Sequence, residues 1–171
     1  RNPDKIAPRD GHTALQGDLA DVDATAALVR GADVLVVSVR WSDNAPQVLD
    51  IARKVGVARL LVVVGAGSLQ TASGVRVLDT PDFPPAWRPG SEAAARALEV
   101  LRAEAGVNWL AFSPSAMIAP GERTGRFRIG GDQLLEDAEG HSRISREDFA
   151  VAIVDEIETP KHQRERITVG Y

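Results

Sequence analysis

The chain has 171 residues, 44% of them hydrophobic, which is enough for one domain with a sizeable core over residues 1–171 and too few to expect two. The 20 basic residues are scattered and stand against 24 acidic ones, a net charge of -4, so we expect no nucleic-acid partner. The absence of cysteine excludes disulfides, cysteine–zinc sites and a thiol nucleophile, and is compatible with a cytoplasmic location. No apolar run approaches the ~20 residues that cross a bilayer, so we expect no membrane association.

The first 31 residues predict a short strand followed by a helix. Residues 12–16 can form the strand. Asp21 is a favourable helix N-cap, and Gly31 is typical of the position after a helix. The opening residues 1–5, Arg-Asn-Pro-Asp-Lys, look like the loop that follows a strand, so we expect a further strand to precede them.

Two apolar runs with a helix between them predict a βαβ unit. Residues 33–39 form the first buried strand and residues 59–64 the second. Between them, Asp43 or Asn44 caps a helix that ends before Gly56. Strands that alternate with helices through short connections indicate right-handed crossovers and a parallel sheet.

The second of these strands ends in a turn of small residues. Leu60 to Val64 contain no polar residue, which favours a central strand covered by helices on both faces. Parallel sheets bind ligands at the carboxyl ends of their strands, where Gly65, Ala66 and Gly67 leave room and Ser68 offers a hydroxyl. We interpret this turn as the floor of a nicotinamide-nucleotide site. A plain strand-to-loop turn is the alternative.

A proline-rich loop and an alanine-rich helix come next. Residues 79–89 hold too much proline to be helical throughout and are long enough to form a lid. Ser91 is the predicted cap of a helix that Gly106 closes. A buried strand follows at residues 109–112, with residues 113–117 at its carboxyl end.

The last third of the chain predicts two further strands, a helix and a terminal strand. Residues 121–131 alternate charged and apolar side chains between glycines, which indicates an exposed or edge strand, and residues 142–144 can pair with it. Ser145 caps the helix, and residues 166–169 form the terminal strand. The predicted core face of the helix consists of Ala150, Ile153, Val154 and Ile157.

Several other kinds of site are poorly supported. The three histidines have neither ligand spacing nor cysteine partners, so we predict no metal site. Ser68 lies in Gly-Ala-Gly-Ser-Leu-Gln, not in the Gly-x-Ser-x-Gly of serine hydrolases. That stretch only half matches the dinucleotide fingerprint, because Gln70 replaces the third glycine, so it is not the pyrophosphate loop. Asp18 either accepts a hydrogen bond from an adenine amino group or organises the turn before Asp21.

A set of motifs along the chain resembles one family. The motifs are Arg1-Asn-Pro-x-Lys5, Gly17-Asp-Leu-Ala-Asp21, Gly65-Ala-Gly-Ser-Leu69, Asp79-Thr-Pro-Asp-Phe-Pro84, the block from Pro120 to Leu135, and Thr168-Val-Gly-Tyr171. They resemble the NAD(P)H-binding, NADH-flavin reductase-like branch of the atypical short-chain dehydrogenases, which is related to NmrA-like proteins and to biliverdin/flavin reductases. The resemblance implies an α/β fold with a Rossmann-like, doubly wound parallel sheet that is N-terminally incomplete, because the first strand and the glycine-rich loop are absent.

The resemblance also implies which residues bind NADP or NAD. Carried over by position, the contacts are Arg1 with the adenosine 2′-phosphate, Asp18 and Leu19 with the adenine, Ser38 and Val39 with the diphosphate-ribose region, Ser68 with the nicotinamide, and Pro114, Ser115 and Ala116 with the wall beside the carboxamide.

One departure from ordinary short-chain dehydrogenases narrows the expected chemistry. The Tyr-x-x-x-Lys pair that serves as their acid is missing, and the single tyrosine is Tyr171. We therefore expect hydride transfer from NAD(P)H to a flavin-like or quinone-like acceptor, with Ser68 as the catalytic hydrogen-bonding residue and Trp87 over the acceptor. The alternatives are a non-catalytic, NmrA-like dinucleotide sensor and a sugar-nucleotide epimerase or dehydratase. We also expect that the chain can form a homodimer.

Overall fold

The computed structural model describes residues 2–171, so the predicted contact of Arg1 with a phosphate lies outside the described residues. Within them, a five-stranded sheet in the order β1-β2-β3-β7-β5 and a two-stranded sheet, β4-β6, pack with four α-helices. The strands are β1 (Val34–Val37), β2 (Arg59–Val63), β3 (Trp109–Pro114), β4 (Met117–Ala119), β5 (Arg128–Gly130), β6 (Arg143–Ser145) and β7 (Glu165–Gly170). The helices are α1 (Val22–Leu28), α2 (Ala45–Val55), α3 (Arg88–Arg102) and α4 (Arg146–Glu158).

The large sheet is parallel except at one edge. Strands β1, β2, β3 and β7 run in the same direction, and β5 pairs antiparallel with β7. On one face of the sheet, Leu60 and Val62 of β2 pack in a cluster with residues of α2 and α3. On the other face, Leu61 packs with Phe112 and with Phe149 of α4. Helices therefore cover both faces of β2, and the predicted Rossmann-like α/β fold is confirmed.

The amino-terminal region departs from the prediction in one element. The expected strand at residues 12–16 does not form, and most of these residues are exposed. A strand needs a neighbour for its backbone hydrogen bonds, and none of the described strands lies beside this segment. Helix α1 begins as predicted, because the carboxylate of Asp21 accepts a hydrogen bond from the Ala24 amide at 3.0 Å.

Helix α3 begins three residues before its predicted cap. Its first residue is Arg88 and not the residue after Ser91. Proline is tolerated in a first helical turn, where its missing N–H has no intrahelical partner anyway, so Pro89 does not delay the helix. Ser91 is consequently a first-turn residue.

One expectation for the last third of the chain is wrong, and another is right in part. Strand β6 pairs in parallel with β4, and not with the segment around β5. Helix α4 begins after Ser145 as predicted, and Ile153 and Ile157 pack against the core as expected. Its most buried side chains include Phe149, Ala152 and Glu156, whereas the predicted core residues Ala150 and Val154 are exposed. A set shifted by one residue satisfies the same helical period, so periodicity alone does not choose between them.

The turn after β2 packs very closely against the start of α3. A Cβ atom on Gly67 would lie 2.8 Å from the Cβ of Ser91, nearer than non-bonded carbon atoms approach. At Gly65 the corresponding distance, to the Cβ of Ala94, is an ordinary 3.6 Å. Gly67 is therefore required by the packing of the turn on α3, whereas Gly65 has space for a methyl group.

A fully buried carboxylate joins α4 to two other segments. Asp148 accepts hydrogen bonds from the Thr124 hydroxyl at 2.6 Å, the Gly125 amide at 2.7 Å and the Tyr171 hydroxyl at 2.8 Å. Burial by itself raises the pKa of Asp148, but these hydrogen bonds outweigh it and hold the pKa below its usual value. The ionised form of Asp148 is thus the one that the fold stabilises.

Strand β1 lies at an edge of the sheet although its sequence is apolar. Among the described strands it hydrogen-bonds to β2 alone. Val36 is 45% exposed, and Leu28 and Val39 nearby in the chain are also exposed. An apolar strand with an open row of backbone groups is a template for pairing with another strand.

We predict that residues 1–171, produced alone, self-associate through β1. Val36→Lys should shift the protein toward monomer, because charge on an edge strand opposes strand addition. Val75→Lys is a matched control, since Val75 is 44% exposed and lies elsewhere. Sedimentation velocity checks the prediction. A wild-type monomer with a cooperative thermal transition would contradict it.

We predict that Asp148→Asn lowers the free energy of unfolding at pH 7 by about 1–3 kcal/mol, because three donors lose a charged acceptor. The pKa of Asp148 is depressed in the folded state, so its contribution is present above the ordinary aspartate pKa of about 3.9 and is lost as the pH falls through the folded value. Urea unfolding at pH 7 and at about pH 3.5 should show the difference shrinking in acid. Asp155→Asn, at an exposed site of the same helix, is the control. Equal stability of Asp148→Asn and wild type at pH 7 would refute the assignment.

We expect Gly67→Ala to destabilise the protein by about 1–3 kcal/mol through overpacking, whereas Gly65→Ala changes stability by less than about 1 kcal/mol. Introducing Ser91→Gly removes the atom that Gly67→Ala would meet, so the double variant should recover most of the loss. Thermal unfolding of the four proteins gives the comparison. If Gly65→Ala proves as costly as Gly67→Ala, the close approach is not the cause.

Candidate functional site

Two recesses open at the carboxyl ends of the parallel strands, where α/β proteins bind ligands. The first, which we call the β1 recess, has a volume of about 820 Å³ and follows β1. The second, the outer pocket, has a volume of about 270 Å³ and follows β2 and β3. The β1 recess is lined by Asp18, Leu19, Val39, Arg40, Asn44 and Gln47, among others. The outer pocket is lined by Ala66, Gly67, Phe83, Trp87, Ala116 and Met117, among others.

The β1 recess brings together the two predicted adenine contacts, Asp18 and Leu19, with Val39 from the predicted diphosphate-ribose contacts. One carboxylate oxygen of Asp18 accepts a hydrogen bond from the Ala20 amide at 3.0 Å, so Asp18 does organise the turn, and its second oxygen makes no hydrogen bond within residues 2–171. Gln47 adds a buried side-chain oxygen that has no partner among the described residues. Free acceptors beside an open recess fit the amino and hydroxyl groups of a nucleoside. Ser38 is exposed and is not among the lining residues.

The outer pocket brings together Ala66 and Gly67 from the turn after β2 with Ala116 from the end of β3. Small side chains form its floor, while Phe83 and Trp87 from the proline-rich loop stand around it. Trp87 is 56% exposed, so its indole is free to contact a molecule that enters. A recess of this shape suits a flat ring, because aromatic faces stack on planar ligands.

The predicted carboxamide wall divides into buried and exposed parts. Pro114 and Ser115 are buried. The Ser115 hydroxyl donates to the carbonyl of Val169 at 3.1 Å, so its side chain is bound to strand β7 and does not face the pocket. Ala116 is exposed at the pocket. The hydroxyl of Ser113, one position before the wall, donates to the carbonyl of Gly65 at 3.1 Å and ties β3 to the turn.

The side chain of Ser68 lines neither recess. It lines a third depression of about 400 Å³ beside α3, which we call the α3 groove and which also includes Asp132 and Arg166. The Arg166 guanidinium donates to the Ser68 hydroxyl at 3.1 Å and forms an ion pair with Asp132. The turn after β2 therefore presents Ala66 and Gly67 to the outer pocket and Ser68 to the α3 groove.

Sequence patterns alone did not identify Arg166 as a site residue. It occupies the second position of a short terminal strand, where an arginine is usually exposed, yet its side chain is only 2% exposed. Burial lowers the pKa of Arg166, and the carboxylate of Asp132 opposes that effect. Because Glu165 precedes it in the same strand, the sequence gives no signal that Arg166 is buried.

A third cluster, Asp137, Glu139 and His141, places three potential metal ligands together in the described part of the chain. One oxygen of Asp137 is already engaged by the amides of Glu139 and His141, and the other lies 3.4 Å from the Arg143 guanidinium. The cluster is a turn with local hydrogen bonds, away from both recesses. In the part of the chain that the structure describes, no helix is both long and apolar enough to cross a membrane.

Known proteins resemble this chain over most of its length. The uncharacterized protein YwnB of Bacillus subtilis is 42% identical over 114 residues, which make up 65% of this chain and about half, 54%, of YwnB. The "putative epimerase" of Bacteroides thetaiotaomicron superposes with a TM-score of 0.93 at 38% identity, covering 99% of this chain and 82% of that one. The "putative NADH-flavin reductase" of Streptococcus pneumoniae has a TM-score of 0.80 at 31% identity, covering 96% and 83%.

The family comparison agrees with the chemistry of the two recesses. A family model described as NAD(P)H-binding matches residues 1–160. The β1 recess with its free hydrogen-bond acceptors and the small residues of the turn after β2, both on one sheet edge, fit the two ends of a nicotinamide dinucleotide. The predicted cofactor class, NADP or NAD, is thereby confirmed. The chain belongs to the NAD(P)H-binding family of Rossmann-like proteins.

Proposed function

We propose that the protein is an NAD(P)H-dependent reductase that transfers hydride to a flavin-like or quinone-like acceptor. The observation that carries the proposal is the outer pocket, which adjoins the turn after β2 and has Phe83 and Trp87 at its side. Two flat rings, the nicotinamide and the acceptor, must meet face to face for hydride transfer. A pocket with a floor of small residues and an aromatic side wall supports that arrangement.

The proposed cofactor position follows the strand ends. The adenine lies by Asp18 and Leu19, the diphosphate-ribose region passes Ser38 and Val39, and the nicotinamide lies over residues 65–67 beside Ala116. When bound, the reduced nicotinamide supplies the hydride. The chain's own residues exclude water from one ring face and hold the ring against the mouth of the outer pocket. Preference for the 2′-phosphate is assigned to Arg1.

The absence of a Tyr-x-x-x-Lys pair favours an acceptor that needs little proton transfer from the protein. Tyr171, the chain's one tyrosine, donates its hydroxyl hydrogen to the buried carboxylate of Asp148 at 2.8 Å. It is thus committed to the fold and does not line the outer pocket. A reduced flavin or quinone can take its proton from water, whereas a ketone is reduced poorly without an acid. The same argument weighs against epimerase or dehydratase chemistry, even though one similar structure carries an epimerase name.

A dinucleotide sensor is the second candidate, because the same recesses can bind NAD(P)H without turnover. In that case the exposed Trp87 and the proline-rich loop would contact a protein partner instead of a small acceptor. We place either activity in the cytoplasm, a location that the absence of cysteine supports.

Catalytic oxidation of NADPH distinguishes the reductase from the sensor. The full-length protein, given NADPH and a panel of riboflavin, FMN, FAD and quinones, should oxidise the nicotinamide catalytically, as followed by its absorbance. Trp87→Ala should raise KM for the acceptor and leave the dissociation constant of NADPH unchanged, because Trp87 adjoins the pocket and not the β1 recess. Val75→Ala, at an exposed site outside both recesses, is the control.

Tight NADPH binding with no turnover across the panel would favour the sensor. Interconversion of a sugar nucleotide with no net oxidation of NADPH would favour the epimerase and contradict the reductase.

A further inference from the structure

A buried arginine lies directly behind the turn that floors the proposed nicotinamide site. Arg166 belongs to β7, and its side chain is 2% exposed. Its Nε and one terminal nitrogen donate to a single carboxylate oxygen of Asp132, the Nε at 2.6 Å. Its other terminal nitrogen donates to the Ser68 hydroxyl at 3.1 Å. Every nitrogen of this guanidinium therefore has a partner.

The chemistry of the guanidinium fixes the direction of the contact with Ser68. Arginine carries only donors, so the Ser68 oxygen must be the acceptor. Within residues 2–171 the Ser68 hydroxyl makes no other hydrogen bond, and its hydrogen remains available. A cation on the oxygen side also polarises the O–H bond toward donation. Arg166 thus orients Ser68 as a donor.

The partners of Arg166 connect four segments of the fold. Asp132 also accepts from Arg102 of α3 at 3.0 Å. The backbone carbonyl of Asp132 accepts a hydrogen bond from the Gln70 amide at 2.9 Å, and the Gln70 carbonyl accepts one from the Leu134 amide at 2.8 Å. The turn after β2 is consequently fastened to β7, to α3 and to the segment after β5.

Burying a guanidinium is costly unless it is paired and hydrogen-bonded, and Arg166 meets that condition through Asp132 and Ser68. The contact with Ser68 is the one by which the arginine side chain reaches the turn after β2. Arg76, in the same groove, makes the contrast clear: it pairs with Asp79, is half exposed and does not touch Ser68.

We infer that Arg166 is a positioning residue of the proposed reductase, which acts through Ser68 and is itself held by Asp132. Arg166 fixes Ser68, and Ser68 fixes the backbone of residues 65–67 on which the nicotinamide would lie. This assignment rests on the proposed function, and it explains how Ser68 can affect hydride transfer although its side chain faces the α3 groove.

A double-variant cycle in the full-length protein tests the inference. Ser68→Ala and Arg166→Lys should each lower kcat by about 10- to 150-fold, the size expected for one lost hydrogen bond to a charged group. Because Arg166 acts through Ser68, the double variant should lie within about twofold of Ser68→Ala alone. Arg76→Lys should leave kcat within about twofold of wild type. Asp132→Asn keeps the arginine but weakens the contact that holds it. It should therefore lower kcat as Arg166→Lys does in the wild type, and change kcat little in Ser68→Ala.

The outcomes distinguish this inference from the proposed function. Multiplicative losses in the double variant would overturn the inference while leaving the reductase intact, because Arg166 would then act independently of Ser68. If the wild type binds NADPH but turns over no acceptor, the proposed reductase function is wrong. The double-variant cycle is then measured on the dissociation constant of NADPH, and the effects of the Ser68 and Arg166 substitutions on that constant should again be non-additive. Melting temperatures of all variants identify any that lose activity by unfolding, and Asp132→Asn then replaces Arg166→Lys in the cycle.

Discussion

The constraint on which this structure depends is the burial of β2 on both faces. Leu60, Leu61 and Val62 are completely inaccessible to solvent, and neighbouring members of this run point to opposite sides of the sheet. Each face therefore needs a helical layer, which α2 and α3 supply on one side and α4 on the other. Parallel strands are typically covered on both faces in this way, and parallel sheets bind ligands at the carboxyl ends of their strands. The position of the site thus follows from the burial of one strand.

The turn at the end of β2 is held in place by contacts with the elements around it. Gly67 lies against Ser91 with no room for a side chain, Ser113 holds the carbonyl of Gly65 from β3, and Arg166 holds Ser68 from behind. The turn is thereby fixed by three different elements. A floor held by contacts from three elements is suited to holding a flat ring in one orientation, which is what hydride transfer requires of a protein.

The features predicted from sequence are those set by local pattern. The apolar run of β2, the capping aspartate of α1 and the serine cap of α4 each depend on residues within a few positions, and all three are confirmed. The family resemblance, which rested on motifs spread along the chain, is confirmed as well. The small residues after β2 lie beside a pocket, since Ala66 and Gly67 line the outer pocket, and their contact with a nucleotide stays a prediction.

The features that sequence missed depend on partners far away in the chain. The pairing of β6 with β4 is a choice between strands, which the composition of either strand does not settle. Arg166 contacts Ser68 across 98 positions, and in sequence it reads as an ordinary exposed arginine at the start of a strand. The strand predicted at residues 12–16 has the right residues but no described neighbour, and a strand without a neighbour does not form.

A crystal structure of the full-length protein with NADPH tests the proposed position of the dinucleotide most directly. We expect the adenine beside Asp18 and Leu19 in the β1 recess, and the nicotinamide against residues 65–67 and Ala116 with one face toward the outer pocket. The ring should be in contact with the turn while Ser68 keeps its hydrogen bond to Arg166. A nicotinamide bound in the α3 groove, or an adenine bound away from the carboxyl ends of β1 and β2, would contradict it.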